Sequence, residues 1–104
     1  MNATHRPLHF HPAVASDLRE GIDWYENISI DLGNRFRAAA NVAFDEISAT
    51  PGRFPRAFAD IRFARLAKFP YLVLFRESAS LISIVGVFHS ASDPKKWRRR
   101  AKDV

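Results

Sequence analysis

The side chains best suited to chemistry are cations and an imidazole in the second half of the chain. Arg65 and Arg76 carry guanidinium groups, which stabilise negative charge developing on a phosphoryl group. His89 follows an apolar run, and an imidazole with an ordinary pKa of about 6.5 transfers protons at neutral pH. Arg62 and Lys68 add positive charge to the same stretch. For His89 the alternative is a polar residue that ends a strand.

Positive charge is unevenly distributed along the sequence. The net charge is +5, but residues 1–52 contain four basic and seven acidic side chains, whereas the remaining residues contain twelve and four. Near the end, Lys95, Lys96, Trp97 and Arg98 combine charge with an aromatic ring, which suits contact with a nucleic acid. The alternatives are a solvated tail or a surface that pairs with an acidic protein segment.

Composition excludes several other classes of site. The chain has no cysteine, which excludes disulfides, zinc–thiolate sites and cysteine nucleophiles. It lacks a glycine-rich phosphate loop and a serine nucleophile motif, and we expect no cofactor. His5, His9 and His11 lie near one another, but no carboxylate cluster accompanies them, so we expect surface histidines rather than a metal site.

Length and hydropathy predict one domain spanning residues 1–104. The chain has 104 residues, of which 47% are hydrophobic and 26% charged, as in folded proteins. No apolar run approaches the roughly 18 residues that a membrane span needs. The N-terminus lacks the basic-then-apolar pattern of a secretory signal, so a cytoplasmic protein is expected.

Two apolar runs predict the centre of a sheet. Residues 71–75 are apolar at consecutive positions, which indicates a strand buried on both faces. Residues 81–88 form a second such run after a short link, so the two predict an antiparallel hairpin. Residues 61–69 alternate loosely and predict a half-exposed strand, and residues 8–10 a short one.

The residues between the first strand and the hairpin predict two helices. Apolar residues recur at helical spacing from 14 to 25 and again from about 32 to 49. Ser29 and Asp31 are candidate caps for the second helix. Residues 51–60 contain Pro and Gly and predict a loop.

The resulting order, β-α-α-β-β-β, predicts an α+β fold with a helical hairpin packed on one face of a small, mainly antiparallel sheet. A proline after the last strand permits a short terminal helix. Trp24 flanks the first helical stripe, and Phe44 lies off the second, as the widened edge of the core or as an exposed apolar contact. Asp17, Glu20 and Asp23 are spaced as a solvated face rather than as paired catalytic acids.

Several short motifs occur in a characteristic order and spacing. They are Trp24-Tyr25, Leu32-Gly33, Phe69-Pro70-Tyr71, Phe75-Arg76, Val87-Phe88-His89 and Asp93-Pro94. Together they resemble the RelE/ParE superfamily of toxins from bacterial type II toxin–antitoxin systems, and in particular its ParE-like, plasmid-stabilisation branch. The resemblance extends over most of the chain and implies the same element order.

The resemblance implies a growth-inhibiting toxin that a cognate antitoxin neutralises. The antitoxin is expected to be acidic and partly disordered when free, and to contact Trp24 and Phe44. ParE-like members poison DNA gyrase without hydrolytic chemistry, whereas RelE-like members cleave mRNA on the ribosome. For a ribonuclease, Arg65, Arg76 and His89 are the catalytic candidates. The candidates to bind a target or nucleic acid are Arg62, Lys68, Lys95, Lys96, Trp97 and Arg98.

Two places separate the chain from the ribonuclease pattern. Ribonuclease members commonly carry arginine directly after the tyrosine of the central strand, where this chain has Leu72. Many members carry arginine before the Asp-Pro turn, where this chain has Ala91 and Ser92. Loss of a phosphate-stabilising cation typically slows catalysis by about 100-fold or more. The first hypothesis is therefore a non-hydrolytic toxin, the second an endoribonuclease, and the third a degenerate, non-toxic binding relative.

Overall fold

A five-stranded sheet and three helices form the part of the chain, residues 6–104, that the computed structural model describes. The elements are β1 (Leu8–Phe10), α1 (Val14–Glu26), α2 (Ile30–Ala49), β2 (Arg56–Phe58), β3 (Ile61–Arg65), β4 (Tyr71–Glu77), β5 (Ile82–His89) and α3 (Pro94–Ala101). A single 3₁₀ turn, Pro51–Arg53, follows α2.

The sheet has the strand order β1-β5-β4-β3-β2, with β4 at its centre. β1 runs parallel to β5, and the other neighbouring strands are antiparallel. Residues 72–75 of β4 are all buried. A central strand with both faces covered needs apolar residues on both sides, so the consecutive apolar run is explained and the predicted hairpin of β4 and β5 is confirmed.

The hairpin of α1 and α2 covers one face of the sheet. The Oγ atom of Ser29 accepts a hydrogen bond from the Leu32 N–H at 3.1 Å and caps α2. The two helices approach closely at Gly21, where a Cβ atom would lie 2.5 Å from the ring of Phe36. Phe36 is fully buried and anchors the larger core. Its ring packs against those of Tyr25, Phe69 and Tyr71.

The short helix α3 covers the opposite face. Asp93 caps it through a carboxylate that accepts from the Lys95 N–H at 2.9 Å, and Pro94 occupies its first position. The core beneath α3 is smaller than the hairpin core. Its members include Leu72, Leu74, Val85, Phe88 and Ala101, with Trp97 and Val104 half-buried at its edge.

The predicted α+β architecture is confirmed, but one prediction about the loop is wrong. Residues 51–60 contain the edge strand β2. Its three residues pair only with β3 and are largely exposed, so they carry no alternation of apolar and polar residues that would reveal a strand.

Two element boundaries also differ from the prediction. β3 ends at Arg65 rather than near residue 69, because the chain turns at Lys68, whose φ is 70°. α2 begins at Ile30 rather than near Leu32, because Ser29 is the cap. No helix in the described residues is long and apolar enough to span a membrane.

Phe44 is the widened edge of the core, and the alternative of an exposed contact is wrong. Its side chain is 7% exposed, and its ring meets that of Phe10 edge-to-face at 5.2 Å. Trp24, by contrast, is 65% exposed. Of the two residues predicted to contact an antitoxin, only Trp24 offers a large accessible surface.

Candidate functional site

The ends of β4 and β5 place His89 beside Tyr71. Tyr71 begins β4 and pairs across the sheet with His89, which ends β5. The ring centroids are 5.2 Å apart, with an angle of 72° between the ring planes. Tyr71 packs against the hairpin core, so both side chains lie on the α1–α2 side of the sheet.

A polar cleft of about 260 Å³ opens beside these rings, between α1, the strand ends and α3. Glu20 of α1 and Lys96 of α3 line it, together with an ion pair between Asp17 and Arg100. Among the described residues around the cleft, Glu20 is the one carboxylate outside that ion pair. The cleft therefore combines a cation and an anion with two aromatic polar groups.

Tyr71 and His89 both present hydrogen-bond donors to the cleft. Burial raises the pKa of Tyr71 above its usual value of 10.0, and Tyr25 and Glu20 raise it further, so the phenol stays protonated. The Nδ1 atom of His89 accepts a hydrogen bond from the Ala91 N–H at 3.0 Å. The neutral imidazole therefore carries its proton on Nε2. This arrangement is suited to binding an oxyanion rather than to removing a proton.

The ion pair between Asp17 and Arg100 joins α1 to α3 across the end of the sheet. Its two hydrogen bonds run from Nη1 to Oδ2 at 2.8 Å and from Nη2 to Oδ1 at 3.0 Å. Asp17 Oδ2 also accepts from the Val87 N–H at 3.0 Å, and Arg100 donates to the Val85 carbonyl at 3.2 Å. The Arg100 and Asp17 side chains are only 17% and 11% exposed, so an unpaired charge would be strongly unfavourable in either place.

Arg100 reaches Asp17 by passing over Gly86 of β5. A Cβ atom at Gly86 would lie 2.8 Å from Arg100 Nη1 and 2.6 Å from the ring of Phe88, so a side chain there would displace the guanidinium. The guanidinium also lies 4.8 Å from the centroid of the Phe88 ring. The ion pair between Arg100 and Asp17 therefore requires glycine at position 86.

The prediction that Asp17 belongs to a solvated face is wrong. Its partner Arg100 lies 83 residues away in the chain, so no local pattern could reveal the pair. Glu20 and Asp23 are exposed, in line with the predicted face. The sequence offers one weaker signal for burial of Asp17. It lies three residues after the buried Val14, and therefore close to the apolar stripe of α1.

The three predicted catalytic residues do not converge. Arg65 ends β3 on the α3 side of the sheet, whereas His89 lies on the hairpin side. Arg76 lies towards the other end of β4, where its Nε donates to Asp60 Oδ2 at 3.0 Å and its Nη1 to the Val104 carbonyl. The structure therefore joins His89 to Tyr71 and not to either arginine.

Leu72 also separates this chain from the ribonuclease pattern. It is 6% exposed and belongs to the core beneath α3. The position where ribonuclease members commonly carry an arginine is thus part of the apolar interior of this protein.

Two of the predicted target-binding residues are held by the fold. Arg62 donates to the Phe54 carbonyl and lies 4.0 Å from the Glu77 carboxylate. Trp97 is half-buried, and its indole N–H donates to Ser92 Oγ at 2.9 Å. The exposed members of the predicted set are Lys68, Lys95, Lys96 and Arg98.

An apolar groove lies between α2 and the turn from β3 to β4. Its volume is about 340 Å³. Two cations, Arg35 and Lys68, are among the residues that line it. The apolar part of its lining is Leu32, Ala38, Ala39, Ala67 and Phe69.

Both ring nitrogens of His11 have hydrogen-bond partners. Its Nδ1 accepts from the Ala13 N–H at 2.9 Å, and its Nε2 lies 3.3 Å from the Asp103 carboxylate. Within residues 6–104 no group of three or more His, Asp or Glu side chains could hold a metal ion. His5 lies outside the described residues.

Comparison with known proteins adds one result. No family model and no curated protein matches the sequence. Among solved structures, the chain is similar to one from the chromosomal ParDE TA system of P. aeruginosa, with a TM-score of 0.72 over 83% of this chain and 97% of that chain. The two share a fold. Their sequence identity is 17%, and the shared fold agrees with the β-α-α-β-β-β architecture expected from the sequence.

Proposed function

We propose that this chain is the toxin of a type II toxin–antitoxin module and that an acidic antitoxin segment binds in the groove of α2. The observation that carries the proposal is the apolar groove with two cations in its lining. The shared fold with a chain of a ParDE TA system supports it. A cytoplasmic location would follow from this function.

The groove is suited to a closely packed segment. Ala38 and Ala39 have small side chains, so a helix or extended segment can approach the backbone of α2 there. Lys68 has no carboxylate within 4.0 Å among the described residues, which leaves its charge available to an acidic partner.

Exposed apolar side chains lie near the groove in sequence. Ile28 and Ile30, in and after the link between the helices, are 63% and 73% exposed, and Trp24 is 65% exposed. Burying a side chain of this size contributes about 2 kcal/mol. A partner that extended from the groove over the tip of the helical hairpin would therefore gain substantial binding free energy.

Expression in a bacterium tests the toxin assignment. Induction of the chain alone should arrest growth, and co-expression of the acidic reading frame next to its gene should restore it. Normal growth with confirmed soluble protein would contradict toxicity and favour a non-toxic binding relative.

A groove variant tests the antitoxin site separately. Ala38→Glu should remain toxic but should escape neutralisation, because the carboxylate would fill the groove and repel an acidic partner. Asn41→Glu is a matched control, since Asn41 is exposed on the same helix outside the groove lining. Equal neutralisation of the two variants would place the antitoxin elsewhere.

DNA gyrase is the proposed target. The separation of Arg65 and Arg76 from His89 disfavours hydrolytic chemistry, which supports a non-hydrolytic mode of action. The purified protein is expected to inhibit supercoiling by gyrase, and induced cells should filament and accumulate DNA breaks. Unaffected gyrase would contradict this target.

Ribosome-dependent cleavage of mRNA is the second candidate. The observation in its favour is the cleft that Tyr71, His89 and Lys96 line, because their hydrogen-bond donors are suited to binding an oxyanion. Primer extension on cellular mRNA after induction would then show codon-linked cuts that disappear in His89→Ala. Growth arrest without such cuts would exclude this candidate.

A further inference from the structure

The arginines and lysines of the chain differ in whether the fold pairs them with a carboxylate. Among the described residues, every arginine before residue 54 except Arg37 lies within 4.0 Å of a carboxylate. On α3, Arg100 alone does so. The cations of α3 and of its C-cap that the fold leaves without such a partner are Lys95, Lys96, Arg98, Arg99 and Lys102.

Four of these cations form a ridge along the outer side of α3. Lys95, Arg98, Arg99 and Lys102 are spaced i, i+3, i+4 and i+7, and all are exposed. Like charges at these spacings destabilise a helix by about 0.2–0.5 kcal/mol per pair. Arg98 lies at the edge of the core, against Phe58, whereas the other three are turned away from the Trp97 and Ala101 side of the helix, so packing does not account for them.

Arg98 of the ridge and Arg65 of β3, on the same face of the sheet, are stacked on phenylalanine rings. The guanidinium carbon of Arg98 lies 4.6 Å from the ring centroid of Phe58, and that of Arg65 lies 5.6 Å from that of Phe63. Both rings belong to the same half-buried apolar border, on the neighbouring strands β2 and β3. A stacked guanidinium keeps its N–H edge free and is held in place, so it binds a phosphate at a smaller entropic cost.

We propose that the ridge and the two stacks bind the phosphate backbone of nucleic acid without base specificity. The ridge spans about 10 Å along the helix, enough for two or three consecutive phosphates. Planar guanidinium groups match phosphate oxygens, and the rings beside them offer apolar contact to sugars and bases, which an acidic peptide would not use. The surface lies on the α3 side of the sheet, away from the α2 groove, so the inference does not depend on the toxin assignment.

Salt-dependent binding tests the inference. Fluorescence anisotropy would measure the affinity of the full chain for a labelled duplex of about 20 base pairs and for single-stranded RNA of equal length. Lys95→Gln/Arg99→Gln should make the negative slope of log K against log salt shallower by about 1.8 for the duplex, because each lost phosphate contact removes about 0.9 from its steepness. The control, Arg19→Gln/Arg37→Gln, removes the same charge from the helical hairpin and should leave the slope unchanged.

Four outcomes would overturn the inference. If the double variants of α3 and of the helical hairpin changed the salt slope equally, the binding would reflect attraction to net charge alone. Equal affinity for polyglutamate would indicate a surface for acidic proteins, and a strong preference among duplexes of different sequence would contradict backbone binding. The last is unchanged binding by Phe58→Leu, which keeps an apolar side chain but removes the ring beneath Arg98 and is expected to weaken binding several-fold. Thermal unfolding of each variant confirms that it is folded, and the growth assay remains a separate test of toxicity.

Discussion

The two faces of the sheet are covered in different ways. The hairpin of α1 and α2 adheres through a large apolar core that contains the fully buried Phe36, Ile47 and Phe75. α3 contributes one buried residue, Ala101, and the half-buried Trp97 to the smaller core, and polar contacts add to this packing. Arg100 binds Asp17, and Arg76 donates to the Val104 carbonyl, while the Trp97 hydrogen bond to Ser92 joins α3 to the loop before it.

The difference shows how a very polar segment is fixed to an apolar sheet. Apolar burial is non-directional and tolerates small shifts, whereas a hydrogen-bonded ion pair requires one geometry. The Arg100 anchor therefore sets the position of α3, and with it Lys96 on the wall of the cleft and the exposed ridge. The hairpin face therefore stabilises the fold, whereas the α3 face positions the exposed cations.

The largest effect should come from the apolar face. Phe36→Ala should lower the free energy of unfolding by about 3–5 kcal/mol, because it removes a ring that contacts three others and leaves a cavity. Urea denaturation followed by circular dichroism measures it. Val42→Ala, at a site that is 55% exposed on the same helix, should change stability by no more than about 0.5 kcal/mol. A similar loss in both variants would contradict the importance of the hairpin core.

The next effect should come from the anchor of α3. Arg100→Gln should destabilise the protein by about 3 kcal/mol, since it leaves Asp17 charged and largely buried. Amide hydrogen exchange should rise most in α3 and least in α2. The control is Arg35→Gln, because the Arg35–Asp31 pair is 69% exposed at both ends and is worth less than about 1 kcal/mol. Equal costs for the two substitutions would contradict an anchoring role.

The sequence predicts the features that depend on neighbouring residues and misses those that depend on residues distant in the chain. The apolar run of β4, the helical stripes and the cap at Ser29 depend on neighbouring residues, and all are present. The edge strand β2 depends on pairing with β3 and leaves no local pattern. The Asp17–Arg100 pair joins residues 83 positions apart, and Phe44 packs in the hairpin core against rings such as that of Phe10, from distant parts of the chain. Information of that kind is contained in the tertiary fold rather than in residue spacing.

A smaller effect should follow from the hydrogen bond that joins α3 to the loop before it. Trp97→Phe keeps an aromatic ring over the core but removes the N–H that donates to Ser92 Oγ. The expected loss of stability is about 1 kcal/mol, the usual value of one hydrogen bond. Thermal unfolding would measure it. If the loss equalled that of Arg100→Gln, the ion pair would not be the principal anchor.

The smallest effect concerns the cleft and appears only at alkaline pH. Burial raises the pKa of Tyr71 above 10.0, so the folded state keeps the phenolic proton at a pH where the unfolded state has lost it. The contribution of this group to stability is complete below the pKa of the unfolded chain and is lost as pH rises through the folded-state pKa.

Tyr71→Phe removes that titration. Its unfolding free energy should therefore fall less steeply than that of the natural sequence above pH 10, although both respond alike between pH 7 and 9. Urea unfolding at intervals across this range, with Tyr25→Phe as the control for loss of a phenol near the same core, gives the two slopes. Parallel curves for the natural chain and Tyr71→Phe would mean that the phenol is not buried enough to be held in its protonated form.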